Sequence, residues 1–284
     1  LKFSIGLRWE DWEADYSDSL NELFNPSDNM SGGKISLIKT MTNGTNVYAS
    51  LAKGYKQGGF NLGLGLDANS TDRNLAYDPE FLINYELGIN TKLLNSKINF
   101  NGVLFYSYRE DQQVLISTQT DPSDPNTFSF LTQNAAEGVN HGLEINMDID
   151  INEFVTAFLN LGMLKTEIKN WQSRQDLEGR AQAHAPKRSY AFGLNWVPTS
   201  HTYLAIDFTG KSSFYYSDSH DNKSKSYVLT NLNLGYVKNN WNYELWARNI
   251  FDEYYSVRGF YFGNEAPNFI DTLYERHGDP RSIG

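Results

Sequence analysis

Residues 83–93 read INYELGINTKL, and this stretch decides the fold. Its odd positions carry mainly apolar side chains, such as Tyr85 and Leu87, whereas its even positions carry Asn, Glu, Gly and Lys. Because successive side chains of a β-strand point to opposite faces, a period of two predicts a strand with one apolar and one polar face. Residues 143–151, LEINMDIDI, repeat the pattern.

The same alternation recurs along nearly the whole chain, and no stretch has a convincing helical period. The chain is therefore predicted to be all-β. About eleven strands are expected, near residues 1–13, 34–42, 45–55, 81–94, 97–116, 139–152, 154–168, 188–198, 201–216, 224–238 and 241–250.

The length of the strands and the rhythm of their connections separate a membrane barrel from a soluble β-sandwich. Many strands reach the roughly 9–11 residues that a tilted strand needs to cross a bilayer, whereas strands of soluble proteins have about 5–6. Short turns at one rim (periplasmic) and long loops at the other (extracellular) are typical of an outer-membrane barrel. Tight turns are expected at 43–44, 94–96, 152–153, 198–200 and 238–240, and they alternate with long connections at 55–80, 117–138, 169–187, 216–224 and 252–280.

Composition narrows the class further. The 284 residues carry a net charge of −10 and no Cys, which argues against nucleic-acid binding and excludes a disulfide framework or a thiolate metal site. No apolar run approaches the roughly 18 residues of a helical span. The 18 Tyr and 6 Trp suit membrane-interface belts. Leu1–Glu13 is already a patterned strand, so any leader is expected to have been removed.

The pattern has a direct physical reading in a membrane. Lipid offers the backbone no hydrogen-bond partners, so a sheet must close on itself to pair every strand. The apolar faces then meet lipid, and the polar faces line a lumen that holds water or a separate plug.

An ordered set of short segments resembles the TonB-dependent outer-membrane receptors. The set includes AKGYKQGGFN at 52–61, NYELG at 84–88 and ARNIFDEYY at 247–255. Most of the matching residues are expected to maintain the fold, with Gly permitting a bend after 58–59 and residues 249–255 shaping a strand exit. The matching residues are Gly54, Tyr55, Gly58, Gly59, Pro79, Glu80, Tyr85, Glu86, Gly88, Asn134, Gly142, Glu144, Pro186, Arg248, Asn249, Phe251, Asp252, Tyr255, Pro280 and Arg281.

The resemblance implies a 22-stranded barrel in the outer membrane of a Gram-negative bacterium. It also implies an N-terminal plug that moves when the inner-membrane TonB protein pulls on it. Residues 1–284 depart from this pattern, because they contain about eleven strands, no plug or coupling motif, and no final strand after Ile283. The chain is therefore expected to be the C-terminal portion of such a barrel.

A ligand is expected at the long loops and the upper lumen wall. Arg109 falls on the polar parity of its strand, so we expect it to face inward and either grip an anionic chelate or pair with a wall carboxylate. Arg174, Arg180 and Arg188 also lie at or near the loop rim. Aromatic candidates, whose alternative role is a membrane-interface belt, are Tyr55, Tyr215, Tyr216, Tyr254, Tyr255 and Tyr261.

No cofactor is expected, and a direct metal site is at most a minor alternative. Asp218, His220 and Asp221 could hold a metal ion, but they also suit a solvated acidic loop. Receptors of this resemblance take iron already wrapped in a chelator, so protein ligands to the metal are not needed.

Catalysis is not expected. Glu144, Asp148 and Asp150 alternate along one strand as lumen-wall residues would, and no nucleophile, zinc or phosphate motif is present. The leading hypothesis is energy-coupled import of a ferric siderophore or other iron complex. Vitamin B12 or an oligosaccharide as cargo, a passive porin or adhesive barrel, and a soluble β-sheet enzyme or lectin remain as alternatives.

Overall fold

We describe the protein from a computed structural model, over residues 1–17, 23–61, 76–119, 128–171, 174–218, 220–263, 267, 270 and 272–284. Strands dominate, and the single 3-10 helix among these residues is Gln175–Leu177. None of the described helical structure is long and apolar enough to span a bilayer. The strands are β1 (Lys2–Glu13), β2 (Tyr16–Ser17), β3 (Leu23–Phe24), β4 (Ser27–Thr40), β5 (Asn46–Lys56), β6 (Gly59–Phe60), β7 (Ala76–Tyr77), β8 (Glu80–Leu93), β9 (Ile98–Gln119), β10 (Phe128–Asn152), β11 (Val155–Asn170), β12 (Arg188–Thr199), β13 (Thr202–Lys211), β14 (Tyr227–Lys238), β15 (Trp241–Arg248), β16 (Ser256–Phe262), β17 (Thr272–His277) and β18 (Ser282–Ile283).

Twelve of these strands form one antiparallel sheet in the order β1-β4-β5-β8-β9-β10-β11-β12-β13-β14-β15-β18. The predicted eleven strands are all present, and the two-residue β18 adds a twelfth at the C-terminal edge. Three small hairpins, β2-β3, β6-β7 and β16-β17, lie within the long connections. Each sheet strand pairs with the next sheet strand along the chain, so the topology is a simple up-and-down meander.

The register places the apolar residues in continuous rows on one face. Leu87 lies opposite Leu104, Leu104 opposite Leu143, and Leu143 opposite Met163, across four adjacent strands. Leu87 and Leu104 are each 53% exposed. These rows therefore do not meet one another across a dry centre, as they would in a β-sandwich.

The buried hydrophobic cluster lies elsewhere. It consists of Val114, Ala136, Ile168, Trp171 and Leu177, where β9, β10 and β11 meet the connection that follows β11. This small core lies under the long connections. Among the described residues, the middle of the sheet has no such buried hydrophobic cluster.

The opposite face of the sheet is polar and internally hydrogen-bonded. Ser107 Oγ donates to Asn84 Oδ1 at 2.7 Å, and Asn84 Nδ2 donates to Glu86 Oε1 at 2.8 Å. Further along the sheet, Asn231 Nδ2 donates to Asp207 Oδ2 at 2.8 Å. Such a ladder suits a wall that faces water, because each polar group has a partner or solvent.

The five tight turns lie where the sequence predicts them, at one rim of the sheet. Leu94, Asn95 and Ser96 have φ values of 51°, 56° and 68°. These left-handed conformations let the chain reverse direction within the four residues that join β8 to β9. The alternation of short turns and long connections is confirmed.

The strand boundaries differ from the prediction mainly at the long-loop rim. The connection expected at 117–138 is much shorter, because β9 runs to Gln119 and β10 begins at Phe128, in register with each other. Likewise β4 begins at Ser27 rather than near residue 34 and pairs with β1. Backbone pairing extends these hairpins through residues whose side chains do not alternate, so hydropathy alone misses them.

One wall position requires Gly for close approach. A Cβ built on Gly88 would lie 2.1 Å from Cε1 of Tyr48, which occupies the space beside it on the neighbouring strand. We expect Gly88→Ala to destabilise the barrel by about 1–3 kcal/mol, the usual cost of overpacking. The measurement is the temperature at which the complete receptor loses its folded, heat-modifiable band on a gel.

The matched control is Gly54→Ala, because a Cβ there meets no atom within 4 Å. Adding Tyr48→Ala to Gly88→Ala should recover part of the loss. Equal melting temperatures for the two single variants would contradict the steric explanation.

Candidate functional site

The long connections meet in a compact cluster around Arg180, whose side chain is only 9% exposed. Its two terminal nitrogens donate to the backbone oxygens of Ser217 and His220, at 2.9 and 3.1 Å. They also donate to the carboxylates of Asp218 at 3.2 Å and Asp221 at 2.7 Å. One planar guanidinium thus holds the connection after β11 against the connection after β13.

Two cations contact the ring of Tyr215. The guanidinium of Arg180 is 4.4 Å from its ring centroid, and the ammonium of Lys223 is 4.1 Å from it. Cations over an aromatic face are attracted by its quadrupole. The Tyr215 ring therefore makes its cation contacts with residues of the loops themselves. The backbone of Tyr215 is held as well, because His184 N donates to Tyr215 O at 2.9 Å.

The β16-β17 hairpin joins the same cluster. Buried Tyr216 donates its hydroxyl to the Glu275 carboxylate, and Tyr261 donates to Asn222 Oδ1 at 2.9 Å. Burial and then the bond to Glu275 raise the pKa of Tyr216 to about 12. A Cβ on Gly259 would lie 2.5 Å from the Tyr216 ring, so this contact depends on a glycine in β16. The connections that follow β11, β13 and β15 therefore contact one another and form one surface at the long-loop rim.

His220 lies inside this cluster and is held neutral. Burial, followed by the charge of Arg180, lowers the pKa of His220, while Asp221 opposes the shift. The ring packs edge-on to Tyr261 at 4.6 Å, and its Nδ1 accepts from Asn222 N at 3.3 Å. Protonation at Nδ1 would remove that acceptor and place a second positive charge beside Arg180.

We expect the loop cluster to loosen as the pH falls below the ordinary histidine pKa of about 6.5. The folded pKa lies below the unfolded one, so the unfolded loop takes up the proton first and stability is lost until the folded pKa is reached. Protease cleavage of loop 212–226 at pH 7.5 and 5.5 measures this change. His220→Asn, which keeps an acceptor without titrating, should abolish most of the pH dependence.

The metal alternative at Asp218, His220 and Asp221 finds no support among the described residues, where no group of three such side chains could hold an ion. Arg180 binds both carboxylates, and its charge repels a cation. Ser219, between them in sequence, lies outside the described residues.

A second polar network surrounds Arg109 on the polar face of β9, as its parity predicts. Arg109 Nε donates to Glu80 Oε1 at 2.7 Å, and the side chain of Glu80 is only 8% exposed. The other Glu80 oxygen accepts from Gln113 N at 3.0 Å. The sequence left two roles open for Arg109, and the structure shows one of them, the pairing with a wall carboxylate. Binding of an anionic ligand by Arg109 stays a prediction.

The network continues to the chain entering β8. Asn134 Nδ2 donates to the backbone oxygens of Asp78 and Asp111, at 2.7 and 2.8 Å, and its Oδ1 accepts from Asp78 N at 2.6 Å. Asp111 has a φ of 53°, and the pairing of β9 with β10 shifts register after Asn134. These contacts support the structural role expected for Pro79, Glu80 and Asn134.

The side chain of Tyr55, on β5, contacts the edge strand β1. Its hydroxyl donates to Glu10 Oε2 at 2.8 Å, and Arg8 lies 5.6 Å from its ring centroid. Gly32 permits this crossing, because a Cβ there would lie 3.1 Å from the ring. Tyr55 therefore ties β5 to β1 across β4, and a ligand role for it stays a prediction.

Asn249, which is buried, organises the exit from β15. Its side chain donates to the backbone oxygens of Glu253 at 3.0 Å and Asp279 at 3.2 Å, and accepts from Glu253 N at 2.8 Å. Asp252 Oδ1 accepts from Arg281 N at 2.8 Å. Both ends of the last long connection are thus fixed to one turn, as expected for residues 249–255.

The remaining motif residues divide between rim and wall. Glycines packed against nearby groups include Gly58 against Tyr77 O, Gly142 against Phe105 and, beyond the predicted set, Gly278 against Tyr255. Glu86 and Glu144 stand on the polar face, Tyr85 on the apolar face, and Pro186 just before β12. Gly59 lies against the Tyr77 hydroxyl, and Arg248 packs over the ring of Trp246. Phe251 and Tyr254 are exposed, and Pro280 precedes β18. Arg174, a candidate from the loop rim rather than from the motifs, pairs with Asp176.

Several contributors to the cluster were not predicted from the sequence. Lys223 and Glu275 contact candidate tyrosines, and Glu275 lies 59 residues from its partner Tyr216. His277 accepts from or donates to the Tyr254 hydroxyl at 2.5 Å. A local sequence pattern cannot predict such pairs, because the paths of the long loops bring together residues that are far apart in the sequence.

Comparison with known proteins gives a consistent result. A family model described as TonB dependent receptor-like, beta-barrel, matches residues 1–250. The pesticin receptor of Yersinia pestis is 23% identical over 242 residues, which cover 82% of this chain but 33% of that protein.

Solved structures show the same fold. The ferric yersiniabactin uptake receptor FyuA from Yersinia pestis superposes with a TM-score of 0.76 at 18% identity, over 99% of this chain and 42% of its own. The siderophore receptor PiuA from Acinetobacter baumannii gives 0.73 at 17% identity, over 99% and 39%. The chain thus spans between a third and about two fifths of the length of these relatives, and its sheet is part of an antiparallel barrel.

Proposed function

Because the chain belongs to the TonB dependent receptor-like β-barrel family, we propose that it is the C-terminal portion of the barrel of a nutrient importer. Members of this family are transport receptors in the outer membrane of Gram-negative bacteria, and the protein is placed there with them. In this proposal the plug and the closing strand are contributed by sequence outside residues 1–284.

The proposed cargo is a ferric siderophore or another iron complex. The support is that similar solved receptors are named for ferric yersiniabactin, for siderophores and, in another case, for ferric citrate. In this proposal the iron arrives already wrapped in a chelator, so no protein ligand to the metal is required.

The observation that carries the proposal is the division of the sheet into an exposed apolar face and a hydrogen-bonded polar face. The first suits lipid and the second a water-filled lumen. The cluster around Arg180 then forms part of the extracellular entrance. The proposal assigns no catalytic step to the chain, and energy would come from the TonB protein acting on the plug.

The test is uptake by cells that express the complete receptor in a strain lacking its own iron receptors. We expect accumulation of ⁵⁵Fe presented as ferric siderophores, and loss of accumulation when TonB is deleted. Labelled cyanocobalamin and maltooligosaccharides serve as parallel cargoes.

Expression under iron limitation and under carbon limitation gives an independent readout. Induction only by a sugar, or uptake of the sugar and not of iron, would overturn the iron assignment. Uptake that persists without TonB would instead indicate a passive pore.

A further inference from the structure

Three lysines lie near one another on the polar face of the sheet, just below the loop cluster. The first, Lys211, lies opposite Ser189 on β12 and opposite Tyr227 on β14. Ser189 in turn lies opposite Gly162, and Gly162 lies opposite Glu144 on the polar face of β10. The register from β10 to β14 therefore places Lys211 on the polar face, at its long-loop end.

Lys187 belongs to the same face, in the next row toward the loops. Its backbone oxygen accepts from Leu164 N at 3.0 Å, which extends the pairing of β11 with β12 by one residue. Because successive side chains alternate, Lys187 lies on the same face as Ser189. Arg188, between them, lies opposite Met163 and belongs to the apolar face.

Lys225 completes the set on the far side of β13. Ser224 N donates to Phe214 O at 2.9 Å, so the pairing of β13 with β14 continues in register beyond Lys211 and Tyr227. Lys225 is two residues from Tyr227 and therefore shares its face.

The three side chains, named here the lysine triangle, can converge on one anion. Lys187 and Lys225 lie on either side of the strand that carries Lys211, so about 10 Å separates their backbones. Each ammonium group stands on a flexible four-carbon stem and offers three donors. Ser189 and Ser213 lie between the lysines on the same face and add hydroxyl donors.

The lysine triangle has no internal counter-charge. Its three members are exposed, and none forms an ion pair with a carboxylate in the part of the chain that the structure describes. Carboxylates further down the same face have other donors, since Asn231 donates to Asp207 at 2.8 Å and Asn233 donates to Glu244 at 2.5 Å. In a chain of net charge −10, this patch reverses the local sign and is available to an anion in the lumen.

The lysine triangle also continues the positive charge of the loop cluster. Lys223, two residues before Lys225, lies opposite Tyr215 and 4.1 Å from the centroid of its ring. Arg180 lies 4.4 Å from the same centroid. Cations therefore follow one another from the extracellular cluster to the lumen wall, and a cleft lined by one sign of charge concentrates ions of the other sign.

We propose that the lysine triangle is an anion-binding site on the inner wall, which the imported cargo occupies as it passes from the loops into the lumen. This inference rests on the proposed function and narrows the substrate class to a chelate of net negative charge with several anionic oxygens at its surface. The separation of Lys187 from Lys225 suits such a chelate better than a single small anion.

The first test measures anion binding without any iron complex. Iron-free citrate, a tricarboxylate, is titrated into the complete receptor in detergent by calorimetry, and binding should weaken as salt is added. The variant Lys187→Gln, Lys211→Gln and Lys225→Gln should bind at least roughly tenfold more weakly, because charge-assisted contacts to carboxylates are lost. The variant Lys187→Arg, Lys211→Arg and Lys225→Arg keeps every charge and should remain within about threefold of the wild type.

Two controls match the loss of charge. Arg188→Gln removes an exposed cation from the same strand but from the opposite face. Lys39→Gln, Lys97→Gln and Lys238→Gln together remove three exposed cations at the short-turn rim. Both controls should bind citrate like the wild type, and heat-modifiable migration verifies that each variant is folded.

The second test measures the uptake of ⁵⁵Fe at limiting cargo. It compares ferric citrate and a ferric tricatecholate, which are net negative, with an uncharged ferric trihydroxamate. For each net-negative complex that the wild type imports, the triple Gln variant should import at least roughly tenfold more slowly. Import of the uncharged complex alone, or equal import by the wild type and the triple Gln variant, overturns the proposal.

The two tests separate this inference from the proposed function. Citrate binding that depends on the lysines, without import of any iron complex, would contradict iron uptake and leave the anion site standing. Equal citrate binding by the wild type and the triple Gln variant overturns the anion site. So does a wild type that binds no citrate and a triple Gln variant that melts earlier, because the lysines would then pair with acidic residues of the plug.

Discussion

Replacing Arg109 by Met in the complete receptor is expected to destabilise the barrel by about 3 kcal/mol, near the lower end for a broken buried ion pair. The change leaves the Glu80 carboxylate, only 8% exposed, without its cation. Because Glu80 also accepts from Gln113 N, the entry into β8 should loosen with it. The melting temperature of the folded band measures the effect.

The companion variant separates the structural role of Arg109 from a role in ligand binding. Glu80→Gln added to Arg109→Met removes both charges and keeps an acceptor for Gln113, so stability should return to within about 1 kcal/mol of the wild type. If uptake of the iron complex also returns, Arg109 acts through the fold. If stability returns and uptake does not, Arg109 contacts the ligand.

Replacing Arg180 by Ala is expected to release the loop cluster while leaving the sheet folded. The side chain makes four hydrogen bonds between two connections and lies against Tyr215. Losing these bonds should raise exchange of the His184 and Tyr216 amides roughly 100-fold, since each tenfold corresponds to about 1.4 kcal/mol. Hydrogen exchange followed by mass spectrometry measures both amides through their peptides.

Arg174→Ala is the matched control, because its partner Asp176 is two residues away and mainly exposed. Such surface pairs contribute about 0–1 kcal/mol. Exchange in the Arg180 variant that stays at the level of this control would show that the ring contacts, rather than the guanidinium, hold the loops together.

These two arginines show what kind of information the sequence carries. Parity along β9 correctly placed Arg109 on the polar face, and its pairing with a wall carboxylate was one of two alternatives. Its partner, Glu80, is 29 residues away and is selected by the register of β8 against β9. The candidate tyrosines were likewise recognised by type, but burial and neighbours decided that Tyr215 and Tyr216 support the loops.

The sequence by itself determined the all-β class, the two faces of the eleven predicted strands and the division into a short-turn rim and a long-loop rim. These features follow from a local period of two and from turn chemistry, which neighbouring residues express without distant partners. Only the tertiary structure decided the extended β9–β10 hairpin, the partners of Arg109 and Arg180, and the contact of Tyr216 with Glu275. Those depend on strand register and on the paths of long connections, and the energy that selects them arises between residues far apart in the chain.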